Sequence, residues 1–271
     1  MTSAALIVKI MIRVVVLCLL AGTALAHPVE FQSTDTPPYW SAKLPDNGLG
    51  GAILKLLSDE AGVAYTINYL PVKRFRRSRA TYLLGDPDIL VNQTHRAIFP
   101  IGVFYSAFFY YQPRQAAIEV HSLKDLQGRT LGVLRGTIED KEFFTRSGVK
   151  VEESDSVASL LYKLKRGRID VCILVEGTGR YTIGQLFPAE QAAFAGVLIP
   201  GLARPIAVMI DLDNPEGKAI AQRYRMVLDK MMKSQKYRSV LKDFYGPQKI
   251  PADRIEQLDK FKHDYAKTWD K

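Results

Sequence analysis

Cysteine is scarce in this chain, which contains only Cys18 and Cys172. Cys18 falls in an N-terminal segment that we predict is removed, so the remaining chain has a single thiol. One thiol cannot form an internal disulfide, and the fold must depend on its apolar core even in an oxidising compartment. Cys172 lies in the apolar run "IDVCILV" at 169–175, which indicates a buried, inert thiol rather than a nucleophile.

Metal-binding and nucleotide-binding motifs are also lacking. The four histidines show no spacing typical of a metal site. Neither a Walker loop nor a G-x-G-x-x-G fingerprint occurs, and "GLGG" at 48–51 is interpreted as a turn. No nucleophile with an adjacent base is apparent. We therefore expect no metal, no cofactor and no hydrolytic triad; the histidines are His27, His95, His121 and His263.

The N-terminus has the pattern of a secretory signal peptide. Lys9 and Arg13 precede or flank the apolar run "VVVLCLLAGTALA", which ends in small residues, and cleavage is predicted after Ala26. The run is short for a membrane span, although a retained anchor helix is the alternative interpretation. Met11 is an alternative start, since Arg13 would then supply the positive region. The expected location is the periplasm.

Charge is mildly unbalanced. Two of the 37 basic residues and none of the 28 acidic residues lie in the first 26 positions, so the remaining 245 residues carry a net charge of +7. Such a surplus suits an acidic ligand or an anionic surface, and it is equally typical of a solvated face with extra lysines. A nucleic-acid partner is not expected, because the export signal separates the protein from it and no reader motif occurs.

The chain after residue 26 alternates between strand-like and helix-like segments. One strand–helix–strand–helix–strand series comes first, and a second of similar length follows it. Such crossovers predict parallel sheets with helices on their faces. The predicted strands are 29–34, 64–71, 88–92, 104–113, 130–134, 149–154, 169–175 and 203–211. The predicted helices include 50–62, one after Pro71, one ending near Phe144, 156–167, 217–234 and a polar helical tail from Pro251.

Two such units predict an α/β protein of two lobes with a cleft between them. Ligands of open α/β sheets bind at the carboxyl ends of the strands. Arg96 follows the predicted strand 88–92 and is therefore expected to enter the cleft. We predict a discontinuous first lobe of residues 27–113 and 204–271 and a second lobe of residues 114–203.

Five short motifs occur in order along the chain. They are "PPYW" at 37–40, "G-x-x-D-I" at 85–89, "T-x-R" at 94–96, "SLKDLQGRTLGVLRGT" at 122–137 and "LKRGRIDV" at 164–171. Together they resemble the family 3 periplasmic solute-binding proteins of ABC transporters, the type associated with polar amino acids. The resemblance covers residues 29 to 246 in the family's order and implies the type II periplasmic-binding-protein fold, in which two crossing strands near Gln112-Pro113 and Arg204-Pro205 form the hinge.

The resemblance also implies roles for individual residues. Arg96 matches the arginine that holds a ligand carboxylate, a role that suits a guanidinium fork, and Thr94 and Asn92 would add neutral contacts. Thr137 would clamp the carboxylate at a helix N-terminus, or it caps that helix in a capping box with Asp140. Tyr39 and Trp40 match the aromatic wall over the ligand, or they are core residues.

The sequence departs from the family pattern at the amine site. The family's aspartate that neutralises the ligand ammonium would fall at Val175, and the nearest acid is Glu176. If Glu176 takes that role, an amino acid is the expected ligand, and otherwise it is an organic acid or another polar solute without an amine. A basic cluster on the helix after Pro71 is either a solvated helix face, or its Arg74 reaches into the cleft. The cluster consists of Lys73, Arg74, Arg76, Arg77 and Arg79.

The function implied by the resemblance is capture of a small carboxylate-bearing solute by hinge closure, for delivery to an ABC-type membrane permease. The protein would act as a monomer and would not be an enzyme. Two alternatives remain open. One is an exported enzyme similar to cyclohexadienyl dehydratases with Glu176 as general acid, and the other is a sensory binding protein that does not take part in transport.

Overall fold

The structure is a computed structural model of the chain. It describes residues 27–91, 95–114, 120, 123–138, 141–246 and 252–269. The predicted signal peptide, Asn92 and Thr94 lie outside the described residues. Within the described residues, no helix combines the length and the apolar character that a membrane crossing requires.

The described strands form one mixed sheet of eight strands in the order β2-β1-β3-β8-β4-β7-β5-β6. Neighbours at the two ends of the sheet are parallel, whereas β3, β8, β4 and β7 pair antiparallel in the middle. The strands are β1 Val29–Ser33, β2 Tyr65–Tyr69, β3 Tyr82–Gly85, β4 Arg96–Tyr111, β5 Thr130–Leu134, β6 Lys150–Ser154, β7 Val171–Val175 and β8 Phe194–Asp211.

Helices cover the faces of this sheet. Short 3-10 turns occur at Pro45–Asn47, Pro87–Ile89, Gln112–Arg114, Leu123–Leu126 and Gln191–Ala193. The described α-helices are α1 Gly48–Ala61, α2 Val72–Phe75, α3 Lys141–Arg146, α4 Val157–Lys165, α5 Glu176–Leu186, α6 Pro215–Met232, α7 Gln235–Tyr245 and α8 Ala252–Ala266.

Two lobes share the long strands β4 and β8. In the first lobe these strands pair with β3, and in the second lobe β4 pairs with β7. The register between β4 and β8 shifts between Tyr105 and Ala107, which marks the crossing. The predicted two-lobe α/β fold is confirmed. The expected crossing near Gln112-Pro113 is wrong, because β4 continues to Tyr111 and those residues form a turn after it, whereas Arg204 lies at the crossing.

Each lobe has its own apolar core. In the first lobe, helices α1 and α6 bury residues such as Ile53 and Tyr224 against Phe31 and Phe99 of the sheet. In the second lobe, the leucines of α4 pack against Cys172. The predicted inert thiol is confirmed, since Cys172 is free and fully buried and burial raises its pKa.

Local predictions succeeded where helical periodicity and a stop signal agreed. The predicted helix 50–62 is α1, and Gly62 ends it with φ of +63°, a left-handed conformation that glycine adopts at little cost. The predicted strand 88–92 is wrong, because the Asp86 carboxylate accepts a hydrogen bond from Asp88 N at 2.9 Å and closes a turn at Pro87–Ile89. The strand of this unit is β3.

The C-terminal helix α8 lies along β4 of the first lobe. Near its start, Arg254 donates a hydrogen bond to the Val103 carbonyl at 3.1 Å. Just beyond its end, the Trp269 ring stacks on Phe99 at 5.4 Å between centroids and its Nε1 donates to the Ile98 carbonyl at 2.6 Å. This helix is therefore an integral part of the first lobe.

Candidate functional site

A cavity of about 280 Å³ lies between the two lobes. The first lobe contributes the segment after β1, the segment after β3 and Phe104 of β4. The second lobe contributes the segment after β5, the strand β7 and the first turn of α5. The parallel strands β1, β3, β5 and β7 thus direct their carboxyl ends to one place, as the doubly wound arrangement requires.

Tyr39 and Trp40 form an apolar wall of this cavity. Both residues are almost fully buried, with 2% and 3% of their surface exposed, rather than exposed loop aromatics. The Tyr39 ring lies 5.9 Å from the rings of both Phe104 and Phe244, and burial raises the pKa of its hydroxyl. The wall is therefore rigid and belongs to the core of the first lobe while it lines the cavity.

The prediction that Arg96 enters the cleft is wrong in this structure. Arg96 is the first residue of β4 and pairs with Asp211, at the end of the strand far from the crossing. Its guanidinium is buried and donates to the carbonyls of Ala80 at 2.8 Å and Thr81 at 3.1 Å. The Arg96 side chain therefore stabilises the first lobe at the end of β4 that is far from the cavity. Asn92 and Thr94, predicted beside it, lie outside the described residues.

Thr137 does line the cavity. Its hydroxyl donates to the Leu134 carbonyl at 2.7 Å, and its backbone N–H donates to the same carbonyl at 3.1 Å. The described part of α3 is Lys141–Arg146, and Thr137 closes a turn directly after β5. Its partner in the predicted capping box, Asp140, lies outside the described residues.

Glu176 is held by two arginines at the edge of the site. Its carboxylate lies 2.5 Å from Arg180 Nε and 3.7 Å from Arg254 Nη2. The guanidinium of Arg254 in turn lies over the ring of Tyr105 at 4.7 Å. This charge is therefore neutralised within the protein, and Glu176 is not among the residues that line the cavity.

Arg74 lies outside the cavity, on the surface of the first lobe. It is exposed and lines a separate, open depression of 740 Å³ together with Lys73, Arg77 and Gln32. The helix expected to carry the basic cluster is only the single turn Val72–Phe75. Arg74 therefore fits a solvated face rather than the cleft.

Arg76, of the same cluster, instead connects the two lobes. Its Nη1 donates to the Gly136 carbonyl of the second lobe, and its Nε donates to the Ile89 carbonyl at 2.9 Å. The lobes are therefore in contact across the cleft. A cavity of 480 Å³ beside this contact is lined by Lys73, Arg76, Arg77 and Arg135, and Ile138 lines both this basic cavity and the smaller one.

Sequence reasoning missed Asp86 and Thr178. Asp86 directly follows β3, is 9% exposed and lines the cavity. Burial, and secondarily the neighbouring Asp88, raise its pKa to about 7, although a hydrogen bond from the Asp88 backbone and the nearby Arg204 lower it. The sequence signal for Asp86 is its position at the carboxyl end of a strand. This signal was hidden because the strand was predicted at 88–92 and not at Tyr82–Gly85.

The polar groups of the cavity are neutral or acidic. Asp35 lies at its exposed edge and Asp86 in its buried part. Among the described residues that line it, no lysine, arginine or histidine occurs. No group of three or more potential metal ligands occurs in the part of the chain that the structure describes. The arrangement suits a small solute with an apolar body and a positively charged group.

Comparison with known proteins yields matches by structure only. No family model matches the chain, and no curated protein matches its sequence. An ancestral arginine-binding protein bound to glutamine has a TM-score of 0.62 and 16% identity, over 82% of this chain and all of that chain. A histidine kinase sensor domain with similarity to periplasmic binding proteins has a TM-score of 0.61 and 16% identity, over 81% of this chain and 96% of that chain.

A third similar structure is an ABC uptake transporter substrate-binding protein from Streptococcus pneumoniae with bound histidine. Its TM-score is 0.60 with 12% identity, over 81% of this chain and 93% of that chain. At these identities the likeness establishes the fold. The chain therefore has the two-lobe periplasmic-binding-protein fold that its motifs predict.

Proposed function

We propose that this protein is an exported solute-binding protein that captures a small carboxylate-bearing solute, an amino acid or a related organic acid, between its lobes. It would deliver the solute to the membrane permease of an ABC-type uptake system. The observation that carries the proposal is the interlobe cavity, whose walls come from both lobes and from the carboxyl ends of two parallel strand pairs, β1–β3 and β5–β7. A solute that bridges the lobes binds the closed form better and shifts the population towards it.

The size of the cavity supports a solute of amino-acid size. Its volume of about 280 Å³ lies near the lower limit of typical ligand pockets, roughly 300 Å³. The buried rings of Tyr39 and Trp40 suit an apolar body. The solute carboxylate would point towards the adjoining basic cavity, where Lys73, Arg76 and Arg77 provide the positive charge that Arg96 does not provide. Arg135 of the same cavity is paired with Glu153 and Asp155.

The lobe boundaries and the cellular context are parts of the same proposal. The predicted boundaries are residues 27–113 and 204–271 for the first lobe and residues 114–203 for the second, and we propose them with one change, which assigns Ala107–Tyr111 of β4 to the second lobe because these residues pack in its cores. The protein would work as a monomer in the periplasm after cleavage at Ala26. Export is supported by the predicted signal peptide. The paired charges of Glu176 remove the general acid on which the dehydratase alternative depended, so we propose binding rather than catalysis.

A sensory role without transport is the second candidate. The observation in its favour is the likeness to a histidine kinase sensor domain at a TM-score of 0.61, which lies between the values of 0.62 and 0.60 for the two binding proteins. The two roles require the same cavity and differ in the partner, a permease or a signalling protein. Cross-linking in membranes from the native cell, followed by identification of the captured partner, separates them.

Identification of the bound solute tests the proposal. The mature protein would be purified under native conditions, and small molecules released by denaturation would be identified by mass spectrometry. Isothermal calorimetry against all common amino acids and a set of organic acids would follow. The expected result is micromolar or tighter binding of one compound class. A folded protein that releases nothing and binds none of these compounds would contradict the proposal.

A further inference from the structure

We infer that the cavity selects solutes that carry a protonated amine, and that Asp86 binds this ammonium group while Thr178 completes the site from the opposite lobe. The inference rests on the proposed function and specifies its ligand. It also replaces Glu176, the residue that the sequence indicated for this role, with a different carboxylate in the other lobe.

Asp86 is a buried carboxylate whose charge is only partly compensated. One oxygen accepts the hydrogen bond from Asp88 N at 2.9 Å. The other lies 4.0 Å from Arg204 Nε, and that guanidinium is nearer to Asp88, at 3.4 Å. A buried carboxylate without a close cationic partner favours binding of a cation, and an ammonium group supplies both charge and hydrogen-bond donors.

Thr178 provides an independent observation. Its side chain is 3% exposed and lines the same cavity, in the first turn of α5. Within the described part of the chain, its hydroxyl has no hydrogen-bond partner. Buried hydroxyls are nearly always hydrogen-bonded, so an unpaired one in a residue that lines the cavity supports a ligand group as its partner.

The charged residues that line the cavity do not suit a ligand that carries only a negative charge. Asp35 and Asp86 are the charged residues among the described lining, and a carboxylate placed beside Asp86 would be repelled. A solute that lacks the amine would leave the buried Asp86 without a partner, and a site built to bind such a group rejects analogues that lack it. The preference is therefore for amino acids or amines with an apolar body over the corresponding acids without an amine.

Two matched series of compounds test the inference by calorimetry on the mature protein. One series is leucine, isoamylamine and 4-methylpentanoate, and the other is phenylalanine, phenethylamine and 3-phenylpropanoate. In the series that fits the cavity, the two amine-bearing members are expected to bind and the acid without an amine to bind at least a hundred-fold more weakly. Asp86→Asn is expected to reduce the affinity for the amine-bearing members about a hundred-fold.

Asp243→Asn is the matched control, because it removes the same charge from an exposed residue of α7 outside the cavity lining. It is expected to change affinity less than three-fold. Thr178→Val is the second variant and is expected to weaken binding about ten-fold. Thermal melting confirms that each variant folds, and Asp86→Asn preserves the oxygen that accepts from Asp88 N.

The outcomes separate this inference from the proposed function. Acids without an amine that bind as tightly as their amino counterparts would overturn the inference and leave solute capture intact. Unchanged amine affinity in both Asp86→Asn and Thr178→Val would do the same. If no compound of the series or of the wider amino-acid and organic-acid panel binds the folded protein, the proposed function fails and the inference fails with it.

Discussion

Arg96 and Asp86 are both buried charged residues, but their surroundings differ. Arg96 uses its guanidinium to satisfy two carbonyls at the base of the first lobe, whereas Asp86 lines the cavity. The motif around them indicated Arg96 as the residue that enters the cleft, whereas Asp86 of the same motif is the one that lines the cavity. A sequence pattern identifies the residue types near a site, and only the register of the strands decides which of them reaches it.

At this scale we predict that Arg96→Gln lowers stability and leaves ligand affinity unchanged. The substitution removes charge-assisted donors from the carbonyls of Ala80 and Thr81, which costs about 2 kcal/mol of the free energy of unfolding. Urea unfolding measures the loss, and calorimetry with the identified solute measures affinity. Arg79→Gln, a change at an exposed residue, is the control. Lost affinity with unchanged stability would restore Arg96 to the binding site.

Asp86→Asn is expected to stabilise the unliganded protein. Burial raises the pKa of Asp86 from 3.8 to about 7, so the ionised carboxylate lowers the free energy of unfolding by up to about 4 kcal/mol. For an acid with a raised pKa, this cost is absent below the unfolded-state pKa and is complete above the folded-state pKa. The gain in the variant should therefore be largest above pH 7 and shrink as the pH falls towards 4.

Thermal melting at several pH values measures this effect. If Asp86→Asn raises the melting temperature at pH 8 and abolishes amine binding, Asp86 lowers the stability of the unliganded protein and is needed to bind the ligand. Equal stability of the variant and the original protein at all pH values would contradict the assigned burial of the charge. Asp243→Asn is again the control.

The helices and strands show what local patterns can and cannot predict. Helix α1 was predicted from its apolar spacing and Gly62, because both signals are local. The strands β4 and β8 were predicted as short segments, 104–113 and 203–211, whereas they extend over Arg96–Tyr111 and Phe194–Asp211. Their extra length is stabilised by pairing with partners distant in the sequence, which local periodicity does not reveal.

The C-terminal helix α8 was predicted only as a polar helical tail, yet its end is anchored in the first lobe. We predict that Trp269→Ala lowers the free energy of unfolding by about 3 kcal/mol, because it removes the stacking on Phe99 and the hydrogen bond to the Ile98 carbonyl. Ile255→Ala, at a residue that is 54% exposed, should change stability little. Urea unfolding compares the two variants, and equal effects would contradict a docked C-terminus.

At the scale of the whole molecule, the repeated strand–helix units predicted two lobes correctly, because parallel crossovers admit few other arrangements. The contact between the lobes was not predictable, since it joins the Arg76 side chain to the Gly136 carbonyl, 60 residues apart in the chain. This contact supports the closed arrangement. The sequence did not decide whether the basic cluster lies on the surface or in the cleft. In the structure, Arg76 is the residue of this cluster that contacts the second lobe.

We predict that Arg76→Met shifts the unliganded protein towards an open form and weakens solute binding about ten-fold. The reason is the loss of a charge-assisted hydrogen bond that exists between the lobes. Small-angle scattering of the unliganded protein should give a larger radius of gyration for this variant. Arg79→Met, in the same segment, is the control. Unchanged scattering and affinity would contradict a role of Arg76 in closure.

The central claim is that both lobes enclose an amine-bearing solute at Asp86. A crystal structure of the protein with the solute that calorimetry or mass spectrometry identifies tests it most directly. We predict the solute in the cavity lined by Tyr39 and Trp40, with its ammonium group within hydrogen-bond distance of the Asp86 carboxylate and contact to Thr178. A solute bound in the basic depression around Arg74, with the interlobe cavity empty, would contradict the account.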